Sequence, residues 1–385
     1  MQNERFHHES LWLKDAHHER DVPRIILKCV VFAVDQPKRL CVTSPYKTIL
    51  AIETSCDETA AAVVVNGTQM VANVVASQID IHRRYGGVVP EVASRQHILA
   101  IDSVVREAVG RTPGGWSGID AIAATYGPGL SGALLTGLNT AKTLAWARGL
   151  PFLMVNHVEA HLYATWIDAA VQPEFPAIAL VVSGGHTVLA LIRDHADAQF
   201  LGGMLDDAAG EAFDKVARLL ALGYPGGPAI QQSARAPVVA QRLPRAWLHG
   251  TYDFSFSGLK TAVSTDPAWV AGRASGDATV LAQRSAELAY LFQESVVDIL
   301  VRKTKAAVSA THAKSVIVAG GVAANSRLRE ALRTAIRVPL HIPPINLCTD
   351  NAAMIAACAY WHPVRGDLAV AVDPHAPFVA EQRSH

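Results

Sequence analysis

The feature that most constrains this chain is a series of strands and helices that begins twice. Residues 47–53 form a short apolar run suited to a buried strand, and it ends in the polar turn Thr54-Ser55-Cys56-Asp57-Glu58-Thr59. A second run, 60–65, leads to Asn66-Gly67, a strong hairpin signal, and 69–77 follows as a third strand. Helix and strand then alternate. Residues 90–109 carry an apolar stripe of Val92, Ile98, Ile101, Val104 and Val105; 119–126 reads as a strand, 131–148 as a helix and 151–155 as a strand. The series restarts with strands at 177–183 and 187–192, joined by Gly184-Gly185, and a third at 199–204. Helices at 208–221, 228–235 and 282–309, a strand at 315–319, a helix from 323 and a last helix over 350–360 complete it. Two copies of a βββαβα unit predict an α/β fold of two related lobes, with the first hairpin turn of each facing a shared cleft. The chain divides accordingly into a leader (1–46), a first lobe (47–155), a second lobe (156–362) and a tail (363–385).

The leader stands apart. It holds scattered charges and the pairs His7-His8 and His17-His18, with little periodicity. Its acids Glu4, Glu9, Asp15, Glu19 and Asp21 argue against a transit peptide. It reads as a disordered or non-native segment, with the working protein starting near Lys47. No apolar run reaches the ~18 residues of a membrane helix. Lys plus Arg equals Asp plus Glu, 34 against 34, so any contact with nucleic acid must come from a local patch. The five cysteines are odd in number and form no C-x-x-C pair, which favours a reduced, intracellular setting.

Several motifs carry candidate chemistry. His157 and His161 lie four apart in Asn156-His157-Val158-Glu159-Ala160-His161, a spacing that puts two imidazoles on one face of a helix. The zincin pattern fails, because Val158 stands beside the first histidine. Asp350 could complete a two-His, one-carboxylate set or simply cap the helix that follows. Val181-Val182-Ser183-Gly184-Gly185 brings an apolar strand to a glycine turn whose backbone can approach an anion, although an ordinary hairpin has the same look. Gly320-Gly321 and Asn325 follow a strand in the same way; close strand–helix packing would explain the glycines, but polar Asn325 at a cleft-facing turn favours a nucleoside or phosphate contact. Gly127-Pro128-Gly129-Leu130-Ser131-Gly132 imitates a dinucleotide fingerprint, but no acid lies about 20 residues on, so tight helix–strand packing is preferred. Ser257-Gly258-Leu259-Lys260 matches S-x-x-K without its K-T-G partner and reads as chance. His82-Arg83-Arg84-Tyr85-Gly86-Gly87 sets basic residues beside an aromatic, which suits RNA, or is only a solvated loop.

Taken together, these stretches resemble one family. Ile52 to Thr59, Arg84 to Glu91, Asn156 to His161 and Val182 to Thr187 fit it, as do Asp206 to Lys215, Tyr224 to Pro228, Phe254 to Thr261 and Gly320 to Asn325. The chain resembles the tRNA N(6)-adenosine threonylcarbamoyltransferases, the TsaD/Gcp group once labelled O-sialoglycoprotein endopeptidase, from about Lys47 to about Tyr360. Ala51 and Ala160 stand where the family more often has glycine, and neither removes a functional group. The resemblance implies an actin-like, Hsp70-like (ASKHA) fold around a nucleotide cleft. It also implies transfer of threonylcarbamoyl from threonylcarbamoyl-AMP to adenosine 37 of tRNAs reading ANN codons.

Carried over by motif, His157, His161 and Asp350 would hold one divalent metal, Fe(2+) ahead of Zn(2+). Val181, Val182, Ser183, Gly184, Gly185, Asp214, Gly227 and Asn325 would bind the adenylate. Asp57 and Glu58, at the first cleft turn, are the catalytic candidates, with Asp57 orienting or deprotonating the attacking amine. The resemblance further implies a cytoplasmic protein that meets tRNA, a related non-catalytic paralogue and a small ATPase, and no membrane. The rival readings are an ATPase or kinase on the same fold, a metalloprotease, and a non-catalytic scaffold. None of the three fits as well, since the metal triad and the nucleotide turns occur together and H-E-x-x-H does not.

Overall fold

The computed structural model describes residues 44–378. The first three strands are β1 (Thr48–Glu53), β2 (Glu58–Val65) and β3 (Gln69–Ser77). Asn66 and Gly67 take φ of 52° and 66° to close the second hairpin, a conformation that asparagine and glycine adopt at least cost. Gly67 is required on a second count, because a Cβ there would lie 2.4 Å from the Tyr360 ring. Next come α1 (Ile79–Arg83), α2 (Pro90–Gly110), β4 (Ala121–Gly127), α3 (Ser131–Arg148), β5 (Phe152–Asn156) and α4 (His157–Tyr163). The second series is β6 (Ala177–Val182), β7 (Thr187–Asp194), β8 (Asp197–Gly203), α5 (Ala209–Leu219), α6 (Gly226–Ser233), α7 (Ser257–Ser264), α8 (Pro267–Ser275) and α9 (Ala278–Thr311). It closes with β9 (Ser315–Ala319), α10 (Ser326–Ala335), β10 (Leu340–His341) and α11 (Ala352–Trp361).

The duplication is explicit in the sheets. One runs β3-β2-β1-β4-β5 and the other β8-β7-β6-β9-β10, the same order in corresponding strands. In each, the first three strands are antiparallel and the last two join in parallel. The repeated unit therefore extends one strand beyond the βββαβα expected, because β5 and β10 also correspond.

Chain order and packing divide the lobes differently at one place. Every residue from Ala352 to Ala359 is buried, as a helix apolar on all sides requires. This helix, α11, belongs to the second series, yet it packs on β1, β2 and α4. One apolar cluster joins Ile49 and Ala51 of the first sheet, Ala179 and Val181 of the second, and Met354 and Ile355 of α11. Of the tail, Gly366 donates to the Phe152 carbonyl and Asp373 to that of Tyr126, which ties it to the first lobe. The leader lies outside the described residues except for 44–46. There Ser44 is buried and its amide donates to the Tyr360 carbonyl, so residues just before Lys47 take part in the fold.

Two local expectations are corrected. Ile98, placed in the α2 stripe, is 64% exposed; the buried face runs through Ala93, His97, Ile101, Val104, Val105 and Ala108, with a histidine in the place assumed apolar. The last helix starts at Ala352 rather than at 350, which frees Asp350 from it.

Candidate metal centre

Asn156 ends β5 and caps α4, its Oδ1 accepting from the amides of Val158 at 2.9 Å and Glu159 at 3.1 Å. The helix thus starts at His157, and His157 and His161 fall on one face with ring centroids 4.8 Å apart. Asp350 arrives from the far end of the chain. Asn351 takes the capping role of α11, accepting from the Met354 amide, so the Asp350 carboxylate is left for the histidines. Its Oδ1 lies 3.6 Å from His157 Nε2 and 3.4 Å from His161 Nε2. One donor atom from each of the three residues falls within 4.8 Å of the other two.

Three observations fit this set to a divalent cation. His161 is buried, yet neither ring nitrogen makes a hydrogen bond, a costly state unless something further binds there. His157 is oriented from behind: its Nδ1 stands 3.1 Å from both Glu53 Oε2 and Ser55 Oγ, which turns Nε2 toward Asp350. The donors are two imidazoles and one carboxylate, which suit zinc or iron.

Glu53 is the residue the sequence did not single out. It is fully buried at the end of β1 and also accepts from the Ser55 amide and from Thr125 Oγ1. Burial pushes its carboxyl up, but the adjoining His157 outweighs that and holds it below the usual range. For His157 the same two influences run in reverse. Burial lowers it, and the Glu53 and Asp350 carboxylates raise it, to about 9. Burial, with His157 and His161 nearby, lowers His186 to about 4, so this cleft-turn imidazole is neutral at pH 7.

The first cleft turn is held rigidly. The ring of His97 meets Thr59 Oγ1 at 2.8 Å through Nδ1 and the Cys56 carbonyl at 3.0 Å through Nε2. Leu130 and Gly129 of the glycine stretch close on the same turn. The Leu130 amide donates to the Ser55 carbonyl, and a Cβ on Gly129 would lie 2.6 Å from that oxygen. The apparent dinucleotide fingerprint is thus a packing device. Asp57, half-buried, is raised by burial and then by Asp350. Glu58 turns to β3, where Oε1 accepts from Ser77 Oγ at 2.8 Å while Oε2 is buried without a partner.

Burial carries Glu58 from 4.5 up to about 8. The folded state therefore holds a proton that the unfolded chain has lost between those values, and stability falls as pH rises through that window. Glu58→Gln is expected to melt a few degrees higher than the native chain at pH 8 and close to it at pH 5. Equal melting points at pH 8, read by scanning calorimetry, would refute this.

The second cleft turn places Ser183 at the end of β6, with its amide donating to the His186 carbonyl and its Oγ accepting from the His186 amide. Val181 and Val182 are fully buried in the strand, whereas Gly184 and Gly185 are exposed with no atom within 4 Å of where a Cβ would stand. Gly227 is similarly open, and Asp214 fixes the start of α6 by accepting from the Gly226 amide at 2.7 Å. Asn325 caps α10, accepting from the Leu328 amide and donating to Gln293 Oε1. Gly320, with φ of 90°, serves packing, since a Cβ would lie 2.4 Å from the Val182 carbonyl; Gly321 faces open space. Ser257 donates to Asp206, which also accepts from Ser255, so the S-x-x-K match is structural. Among the described residues, no helix is long and apolar enough to cross a membrane.

Residues 69–357 match the family model described as tRNA N6-adenosine threonylcarbamoyltransferase, TsaD. Curated relatives of that name include one from Thermomicrobium roseum, 50% identical over 358 residues, covering 86% of this chain and 97% of the relative. Another, from Bacillus licheniformis, is 52% identical over 326 residues and covers 83% and 93%. Among solved structures, HypF of T. kodakarensis aligns with a TM-score of 0.53 at 14% identity, over 83% of this chain and 48% of that one. Full-length HypF in a phosphate- and nucleotide-bound form gives 0.52 at 12%, over 83% and 47%. Likeness at that identity concerns the fold alone, which is the actin-like, Hsp70-like fold of two related lobes.

Proposed function

Because the chain belongs to the tRNA N6-adenosine threonylcarbamoyltransferase family, we propose how its cleft performs that reaction. The protein is a tRNA-modifying transferase. It moves the threonylcarbamoyl group from threonylcarbamoyl-AMP to the exocyclic amine of adenosine 37 in tRNAs reading ANN codons, forming N(6)-threonylcarbamoyladenosine and AMP. In the step itself, N6 bonds to the carbamoyl carbon, the bond from that carbon to the phosphate oxygen breaks, and AMP leaves with the electron pair. The amine is a weak nucleophile, so placement and charge stabilisation supply most of the rate.

In this reading Val181 to Gly185, Asp214, Gly227 and Asn325 seat the adenylate, with the open glycines 184, 185 and 227 giving its phosphate access to backbone. Asp57 orients the amine and takes its proton; its raised carboxyl is better matched to that task than an ordinary aspartate. Glu58, protonated near neutrality, supports the turn. His157, His161 and Asp350 would hold one divalent ion, iron(II) ahead of zinc, as a two-His, one-carboxylate donor set suits. Such an ion would supply Lewis acidity and a template for the transferring group. By chain order the proposed division is a leader 1–46, lobes 47–155 and 156–362, and a tail 363–385, with α11 and the tail packed on the first lobe. A cytoplasmic setting follows from the tRNA substrate, and a non-catalytic paralogue and a small ATPase are the partners proposed.

The observation that carries this reading is the convergence of His157, His161 and Asp350 beside the Asp57 turn. The test is transfer of labelled threonylcarbamoyl from its adenylate to an ANN-decoding tRNA, with the proposed partners added. Label on tRNA, absent when adenosine 37 is replaced, is expected. AMP release without labelled tRNA would overturn the assignment of roles.

A further inference from the structure

One motif is left outside this chemistry, Arg83-Arg84-Tyr85-Gly86 at the end of α1. All of Arg83, Arg84 and Tyr85 are exposed, Tyr85 by 60%. The loop bridges the lobes: Arg83 Nε donates to the Tyr224 carbonyl at 3.3 Å, and Arg218 of α5 donates to the Gly86 carbonyl. Between them lies a cavity of about 640 Å³ lined by Arg83, Arg218, Tyr224, Pro225 and Pro228. Pro225 in its wall directly precedes Gly226, the residue whose amide donates to Asp214 at the start of α6. The acid facing this rim from the same helix is Asp80, in an exposed pair with Arg83 at 2.9 Å, a weak contact that a phosphate can displace.

We propose that this rim is the docking surface for the RNA strand flanking the target adenosine, with Arg83, Arg84 and Arg218 meeting backbone phosphates and Tyr85 stacking on an unpaired base. The proposal rests on the transferase reading and adds the surface that delivers the substrate. Three features favour RNA as occupant. The whole chain is neutral, 34 cations against 34 anions, so this local gathering of guanidinium groups stands out. An exposed aromatic beside them offers the π-face that single-stranded loops use. The rim also adjoins the cleft turn of Asp57, whose carbonyl accepts from the Gln78 amide at the start of α1 at 3.1 Å.

The test is fluorescence anisotropy of an ANN anticodon stem-loop RNA with the full chain, titrated between about 50 and 200 mM salt. Arg83→Ala/Arg84→Ala is expected to weaken binding for every loop sequence and to lower the salt slope by about 2. Tyr85→Ala should cost roughly tenfold in affinity with the slope unchanged. Affinity for AMP, by titration calorimetry, serves as the folding control, and Arg83→Lys/Arg84→Lys should restore the slope. Native affinity and slope in both sets of variants, or no RNA binding by the native chain at low salt, would overturn the docking surface. Weakened RNA binding in the variants together with failed transfer by the native chain would keep the surface and sink the transferase roles instead.

Discussion

His161→Ala is expected to take bound metal from one ion per chain to near zero and to reduce threonylcarbamoyl transfer by well over a hundredfold. His161 is buried with both ring nitrogens lacking hydrogen bonds, and Asp350 Oδ1 stands at 3.4 Å, longer than a well-formed bond. Such an imidazole gives little to the fold by itself, so its removal leaves the helix standing while deleting a donor. Glu53→Gln provides the graded comparison. It keeps the shape of the buried side chain but removes the charge behind His157 Nδ1, and loss of an outer partner of this kind costs roughly 10–100-fold in metal affinity. Metal content after reconstitution with iron(II) or zinc, measured by plasma emission alongside circular dichroism, separates the cases. Retention of one ion by His161→Ala would refute the three-residue site. Equal affinities for Glu53→Gln and the native chain would reduce Glu53 to a structural acid.

The sequence exposed the ligands more readily than their supports, for a physical reason. His157 and His161 are related by helix geometry alone, a local property. Asp350 competed with a capping role that only the backbone could assign, and the adjacent Asn351 turned out to hold it. Glu53 was hidden because a strand pattern says that its end is buried without saying what waits there; its partner His157 comes from 104 positions along the chain. His97 was missed by the same logic. An apolar stripe search prefers Ile98, yet the buried position belongs to a histidine satisfied by Thr59 and the Cys56 carbonyl. The fold was legible because its signal is repetition. Two strand–turn–strand openings produced two sheets of the same order, and of the ten strands only β10, two residues long, was too short to register.

Asp57→Asn is expected to lower the rate of transfer by roughly 10²–10⁴-fold, the range for a positioned general base, while leaving metal content and AMP affinity near native. The substitution preserves size and the turn itself, which His97, Leu130 and Gly129 hold through neighbouring backbone rather than through the Asp57 carboxylate. What it removes is the proton acceptor. Burial and the Asp350 charge raise the Asp57 carboxyl, so the native rate should climb with pH through that raised value and then level, because only the ionised form accepts a proton. The Asp57→Asn enzyme should lack this limb and run slow and flat across the same range. A merely positioning Asp57 would give another result: a higher KM for tRNA, a modest fall in kcat, and the native pH limb intact. Single-turnover rates against pH for the two proteins, with saturating adenylate and tRNA, decide between them. A persistent limb in the variant would move the base elsewhere, with His186, neutral at pH 7 and on the facing turn, the next residue to test.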